Sequence, residues 1–499
     1  MIERPGPVPA AEQLAALRAA QALARLGTEQ LWTRYFALGG NADLLAVEAH
    51  LDGLLPLPAL DGDLLALAAN ERLDELLSAR RVPYTRPQYR RRPTTGPLAA
   101  MLQLLESARR SSPDRLAALT ADAARTLGVD VAVHVVDDQQ RRLRRLPRDG
   151  EPVGEPIDVD GTLPGRVFQT VVPLPSEGGG QPRLWVPLLD GADRVGVLEV
   201  LVDSALELED PGLRAQCGWL ASLVGHLVAS MGPYGDGLER ARRTSRRSPS
   251  AELVWQQLPP LTAASESFVL AGLLEPAQDV GGDAFDYSLS RDTVAMAVFD
   301  AMGHGLSAGL MVSGALAAYR GARRDGRGLY EQAVSIDTVV SDTFPGSAFV
   351  TGVLAELDTA SGRLRYVNAG HPPPLLLRGG RVVKELTGGR RVPLGLETAG
   401  FAVGEEVLEP GDWLAVYTDG VTEARDADGA WFGEQRLVDF LTRAAAAGHP
   451  PPETVRRLMR AVLEHQGGLL QDDASVLLAC WDNDRSDTSS QSRPATMEG

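Results

Sequence analysis

Apolar residues recur at helical spacing early in the chain, in AEQLAALRAAQALARLG (11–27) and GDLLALAANERLDELLSARR (62–81), which predicts a small helical unit. Between them, LGGNADLLAVEAHLDGLLPLPAL is cut into short pieces by Gly and Pro. The Pro/Arg-rich VPYTRPQYRRRPTTGP that follows reads as a solvated linker, so residues 1–92 form a first segment. From residue 98 a helix runs through Arg125, and the period then changes to that of strands: VDVAVHVVDD, a polar hairpin with RRLRRLPRDGEP, then PRLWVPLLD and RVGVLEVLVD joined by a GAD turn. A closing helix over Pro211 to Met231 ends this second segment, residues 93–233. Residues 234–258 read as a connector with two short helical pieces, and residues 259–482 as a third domain of apolar strands and amphipathic helices. The final 483–499, Ser-rich and nearly free of apolar residues, reads as a disordered tail.

Length agrees with several domains, since 499 residues at roughly 150 per domain make about three. Charge narrows the function. With 49 basic and 66 acidic side chains the chain carries a formal −17, which disfavours nucleic acid as a partner. Lys384 is the only lysine, in the context RVVKEL, so Schiff-base lysines, lysine phosphate loops and protein-kinase sites are nearly excluded. Cys217 and Cys480 give neither a disulfide framework nor a Cys-rich zinc site, and a cytoplasmic setting is the expectation. The N-terminus lacks a basic-then-apolar signal, and the apolar stretch 217–232 falls short of the roughly 20 residues a membrane span requires, so no membrane is expected.

The third domain holds the informative chemistry. DVGGDAFDYSLS supplies Asp283 and Asp286, TVAMAVFDAMGHG supplies Asp300, GDWLAVYTDGVTE supplies Asp419, and LLQDDASVLLAC supplies Asp472 and Asp473. Each of four separate elements thus sets an acid where an apolar strand meets a turn. A strand end fixes the Cα while the turn leaves the carboxylate free to converge with others. Taken singly, each Asp is more often a cap or turn residue. Four such acids beside GGD and GHG suggest a joint site, where crowded carboxylates repel unless a cation neutralises them. Hard oxygen donors without cysteine favour Mg²⁺ or Mn²⁺ over zinc. His304 of GHG is either a proton carrier or a hydrogen-bonded turn residue, the second being favoured. His371 of NAGHPPP reads as structural, and Cys480, in ASVLLACW, as a core thiol. In the second segment His134, His226 and Cys217 are candidate ligands for a metal or haem, although isolated buried His and Cys are packing residues by default. A small-molecule pocket between sheet and helices is the preferred expectation there.

The segments AELVWQQLPP, EPAQDVGGDAFD, VFDAMGHGLSAGLM, FVTGVLAELD, LRYVNAGHPPPLLL, VPLGL, LAVYTDGVTEARD, FGEQRL and DDASVLLA occur in this order over nearly the whole third domain. As a set they resemble the metal-dependent protein phosphatases (PPM, protein phosphatase 2C-like), in particular the bacterial stage II sporulation protein E type. GTLPGRVF and LWVPLLDGADRVGVLEV in the second segment resemble a GAF-type sensor. The resemblance implies a multidomain α/β protein: a helical N-terminal unit, a GAF-like α/β sensor and a C-terminal PPM-type α/β-β/α sandwich. It also implies a regulated serine/threonine phosphatase with two Mn²⁺ or Mg²⁺ ions. Asp283, Asp300, Asp419 and Asp472 would hold them, with Asp300 bridging and the backbone carbonyl of Ala301 contributing. Asp286 and Asp473 would be accessory. The implied substrate is a phosphorylated anti-sigma-factor antagonist in a partner-switching pathway, the sensor would take a small-molecule ligand, and the sensor and connector helices could join two copies as a homodimer. A catalytically silent, partner-binding scaffold and a metal-dependent phosphodiesterase are the competing readings.

Overall fold

The computed structural model describes residues 9–75, 96–148, 150–152, 154–178, 180–244, 246–276, 281–344, 346, 348–396, 400–468 and 470–482. Of the expected linker at 82–97, residues 82–95 lie outside the described residues and Gly96 and Pro97 instead open a helix, while the expected tail at 483–499 also lies outside them. Two compact units divide the chain, Met1–Thr94 and Thr95–Gly499.

The first unit is helical, with helices Ala10–Leu23, Thr28–Ala37, Leu44–Leu51 and Ala59–Glu75. Their apolar stripes meet in a core of Leu17, Leu31, Tyr35, Val47, Leu65 and Leu73. Burying polar groups there is tolerable because they are paired: Gln13 donates to Asp63 at 2.8 Å and the Tyr35 hydroxyl accepts from Ala42 N at 2.9 Å.

The second unit begins with a six-stranded antiparallel sheet in the order Ile157–Asp158, Arg142–Arg145, Asp130–Val136, Asp193–Leu201, Arg183–Asp190 and Leu174–Ser176. Helices Gly96–Ala108, Leu116–Arg125 and Pro211–Met231 share a core with one face. Helix Leu163–Thr170, capped by the Thr162 hydroxyl, packs Val167 and Phe168 against Val136, Trp185 and Val197 of the sheet in a separate cluster. The long closing helix agrees with the apolar run in the sequence. Among the described residues no helix is long and apolar enough to cross a membrane.

The remainder is a sandwich of two six-stranded sheets. One runs Arg390–Arg391, Arg363–Ala369, Val350–Asp358, Thr293–Ala301, Asp283–Leu289, with Gly404–Val407 also on Arg363–Ala369. The other runs Arg381–Glu385, Leu375–Arg378, Asp412–Tyr417, Ala474–Trp481, Phe268–Glu275, Thr262–Ser265. Helices Gly305–Arg324 and Leu329–Thr343 pack on the first sheet, and Glu434–Ala446 and Pro451–His465 on the second. Strand Ala474–Trp481 is buried along its whole length, which is why its sequence reads as continuous apolar residues, with Cys480 a core thiol. Asp283 lies opposite Asp300, and Asp300 opposite Thr351, so three polar residues share one cross-section at the sheet's end.

Candidate metal centre

Five acids converge at that end of the sandwich. Asp283 opens its strand and is 3 % exposed. Its Oδ2 accepts from the Thr418 hydroxyl at 2.7 Å, and the Thr418 oxygen in turn accepts from Ser475 N at 2.9 Å. Burial, followed by the neighbouring Asp300 and Asp473 charges, holds the Asp283 carboxyl well above the usual carboxylate range. Asp300, paired in register with it, is pushed up to about 7 by burial and then by Asp419, Asp472 and Asp473, while Thr351 favours its ionised form. Ala301 follows, 2 % exposed, with its N–H donating to Gly282 O at 2.9 Å.

Asp419 and Asp472 are exposed: Asp419 opens the short helix Asp419–Thr422 after strand Asp412–Tyr417, and Asp472 lies in the loop before strand Ala474–Trp481. What brings these segments together is Gly420: a Cβ there would come within 1.9 Å of the Asp473 carbonyl, an approach only glycine permits. Although Asp472 reaches the surface, partial desolvation of its carboxyl by the surrounding protein and the Asp419 charge raise it, against the Asp473 N–H and His304, which favour its ionised form. Asp473 points inward instead, its Oδ2 accepting from Gly282 N at 2.7 Å. It thereby ties the loop of the second sheet to the loop that carries Asp283.

Asp286 lies elsewhere. Its carboxylate sits between Arg320 at 2.7 Å and Arg323 at 3.0 Å, both on helix Gly305–Arg324. Residues three apart on a strand face opposite ways, so Asp283 and Asp286 could not serve one site. His304 is exposed and precedes that helix without capping it. His371 is 4 % exposed and its backbone is clamped by Asn368, which accepts from His371 N at 2.9 Å and donates to His371 O at 3.0 Å. Its Nδ1 lies 3.0 Å from the Thr351 hydroxyl, and burial lowers the ring's pKa to about 4.

The hydroxyls of Thr351, Thr418 and Ser475 were not singled out from the sequence. A small hydroxyl residue inside an apolar strand, as in FVTGVL, AVYTDG and DDASVLL, was the available signal. Ser250 was missed as well: its Oγ lies 3.1 Å from Gly281 O and 2.9 Å from Gly305 O, donating to either loop in turn.

Among the described residues no three His, Cys, Asp or Glu side chains are already gathered tightly enough to hold an ion. The acids nevertheless fit one chemically. All donors are oxygens, and burial together with neighbouring carboxylates holds the Asp283 and Asp300 carboxyls up, a strain that a hard cation would offset. In the second segment each ligand candidate is spoken for: His134 Nε2 lies 3.1 Å from Glu199, His226 Nδ1 3.0 Å from Asp190, and burial pushes the Cys217 thiol up to about 11.

Residues 290–482 match the family model of stage II sporulation protein E. The chain is 25 % identical over 276 residues to Protein IcfG of Synechocystis, covering 50 % of this chain and 42 % of that protein. To the phosphoserine phosphatase RsbU of Bacillus subtilis it is 24 % identical over 229 residues, covering 43 % of this chain and 63 % of RsbU. The chain thus spans less than two-thirds of the length of these curated relatives. Among solved structures, the RsbU and RsbW domains of Rv1364c from Mycobacterium tuberculosis align at 28 % identity with a TM-score of 0.38, over 43 % of this chain and 62 % of that one. The SiaA-PP2C domain of Pseudomonas aeruginosa aligns at 26 % with a TM-score of 0.39, over 43 % of this chain and 86 % of that one.

Proposed function

From a chain whose C-terminal part is a phosphatase domain of the stage II sporulation protein E, PP2C-like type, we propose a metal-dependent phosphoserine/phosphothreonine protein phosphatase. One observation carries this reading: Asp300, pushed up to about 7 by burial and by three other carboxylates, sits in a cluster that a divalent cation would relieve.

Asp283, Asp300, Asp419, Asp472 and the Ala301 carbonyl would hold Mn²⁺ or Mg²⁺. Such ions supply Lewis-acid activation of water and of phosphoryl oxygens. The chain's own residues prepare the site. Thr418 orients Asp283 by donating to Oδ2, and Asp473 fixes the Gly282 backbone so that Asp283 faces Asp300. The exposed Asp419 and Asp472 leave room for a protein-borne phosphate, and the exposed His304, near enough for its charge to favour the ionised form of Asp472, would be free to pass a proton to bulk water.

The reading extends to residues 93–233 as a GAF-like sensor that regulates the phosphatase through the connector. Helix Pro249–Trp255 supports this, because its Ser250 bonds the loops before Asp283 and after His304. A phosphorylated anti-sigma-factor antagonist is the proposed substrate, supported by the likeness to RsbU and to a chain that carries RsbU and RsbW domains.

Hydrolysis of p-nitrophenyl phosphate and of a phosphoserine peptide tests the proposal. Turnover should require Mn²⁺ or Mg²⁺ and fall at least about a hundredfold in Asp419→Asn. No turnover together with no calorimetric Mn²⁺ binding would instead favour a partner-binding scaffold, and cleavage of a diester alone a phosphodiesterase.

A further inference from the structure

Strand Arg142–Arg145 lies one place in from the edge of the antiparallel sheet that begins the second unit, and alternation divides its side chains between the two faces. Leu143 goes to the face of Phe168 and Trp185. Arg144, opposite Val135 in register, goes to the other, where Val135, Leu146 and Leu238 share a core. Leu238 belongs to the short helix Gly237–Arg242, the first of the connector, which packs on this strand and on the turn Pro113–Arg115. Strand, helix and turn do not close fully on one another. Between them is a cavity of about 340 Å³, a volume within the range of small-molecule sites.

The cavity has an apolar wall that includes Leu146 and Leu238, and its charged residues are Arg144, Arg145, Arg240 and Asp114. Three arginines thus stand against one acid. Arg145 is engaged by Glu151 at 3.2 Å. Asp114 is 3.6 Å from Arg240, too far for a hydrogen bond, so neither side chain saturates the other. Arg144 has the largest unmet demand: the residue is half-buried, and its Nε is buried without a hydrogen bond. Asp137, whose ionised form the Arg144 charge favours, does not take that proton, since Asp137 Oδ2 is itself buried without a partner and Oδ1 accepts from Arg141 N. A buried guanidinium N–H without an acceptor is costly, and an oxyanion is the partner that its planar fork fits.

We propose that this cavity binds a small organic oxyanion, a carboxylate or phosphate carried on an apolar body. The anionic group bridges Arg144 on the strand and Arg240 on the helix, and the body lies against Leu146 and Leu238. The proposal gives the small-molecule pocket expected from the sequence a place and a charge. It shares no residue with the acid cluster, so it stands whether or not the chain is a phosphatase. Because one wall is the first connector helix, an occupant spanning the two arginines ties that helix to the sheet. A neutral molecule of the same shape leaves Arg144 unmet and binds more weakly.

Calorimetric titration of the metal-free full chain tests this with three probes of similar shape: benzoate, phenylphosphonate and benzyl alcohol. Without metal ions the crowded carboxylates around Asp300 repel anions and do not compete for them. Benzoate or phenylphosphonate should bind saturably, at least about tenfold more tightly than benzyl alcohol, and the tighter of the two distinguishes a carboxylate from a phosphate ligand. Arg144→Gln and Arg240→Gln should each weaken that anion about tenfold or more, and Asp114→Asn should tighten it. The Arg240 and Asp114 side chains are 70 % and 60 % exposed, so these two variants carry the test even if Arg144→Gln does not fold. Hydrogen exchange in residues 237–242 should slow when the anion is bound. Benzyl alcohol binding as tightly as both anions, neither anion binding at about 10 mM, an anion affinity unchanged in Arg240→Gln, or unchanged exchange in 237–242 overturns the proposal.

Discussion

Asp300 carries the cost of the site at the scale of a single residue. Burial, and then the Asp419, Asp472 and Asp473 charges, push its carboxyl up from 3.8 to about 7 in the fold. Between these values the unfolded chain releases a proton that the folded one keeps, so the ionisation opposes folding as pH rises from about 4 to 7. Metal-free protein is therefore expected to lose thermal stability through this window from this group, and Asp300→Asn should melt higher than the parent at pH 8. Adding Mn²⁺ at pH 8 should raise the melting temperature of the parent and leave that of the variant almost unchanged. Scanning calorimetry on the two proteins checks both. An Asp300→Asn variant less stable than its metal-free parent would show that the carboxylate is held by partners rather than crowded. Asp160 has the opposite sign: bonded to Arg456, its carboxyl lies at about 2, so its contribution is present above pH 3.8 and lost as pH falls through 2.

Turns and short helices do the work of convergence at the scale of elements, and glycines set how closely they approach. A Cβ at Gly281 would lie 2.5 Å from Ser250 Oγ and 2.8 Å from Ala251 N, so Gly281→Ala should push helix Pro249–Trp255 away from the Asp283 loop. The expected result is a loss of about 1–3 kcal/mol, read by denaturant unfolding, and weaker Mn²⁺ binding. Unchanged metal affinity in that variant would mean that the connector does not shape the site. The element scale also shows what the sequence could disclose. Acids at four apolar strand ends were legible because the strand pattern, the Gly-rich turns and the acid lie within a dozen residues of each other. The hydroxyl partners were not. Thr418 meets Asp283 across 135 residues and Thr351 meets Asp300 through strand register, and a Thr within a β run looks the same whether or not it orients a ligand. Asp286 was misleading for a related reason. Its proximity to Asp283 in sequence suggested one site, whereas strand alternation sends it to Arg320 and Arg323 on the helix face.

Residues 96–233 and the phosphatase domain, both within the second unit, meet through polar seams. Arg456, with a side chain 1 % exposed, makes two hydrogen bonds to Asp160, at 3.0 and 2.7 Å, and two to Glu453, at 2.9 and 2.8 Å. Arg194 approaches Glu453 at 3.5 Å, and Arg141 approaches Glu275 at 3.4 Å. Removing one member of such a network strands its partners, so Arg456→Ala is expected to destabilise by about 3–5 kcal/mol, more than a conservative core substitution. Limited proteolysis should then cut between residues 93–233 and the phosphatase domain sooner than in the parent; an unchanged cleavage pattern and melting temperature would mean that the seam is incidental. None of these long-range pairs could be read from the sequence, where Asp160 and Arg456 stand 296 residues apart. The metal centre itself is best probed by anomalous diffraction at the manganese edge from crystals grown with Mn²⁺. Anomalous peaks are expected between Asp283 and Asp300 on one sheet and Asp419 and Asp472 on the other, lost in Asp419→Asn. Peaks away from these four carboxylates, or no peak at saturating Mn²⁺, would refute a shared metal site.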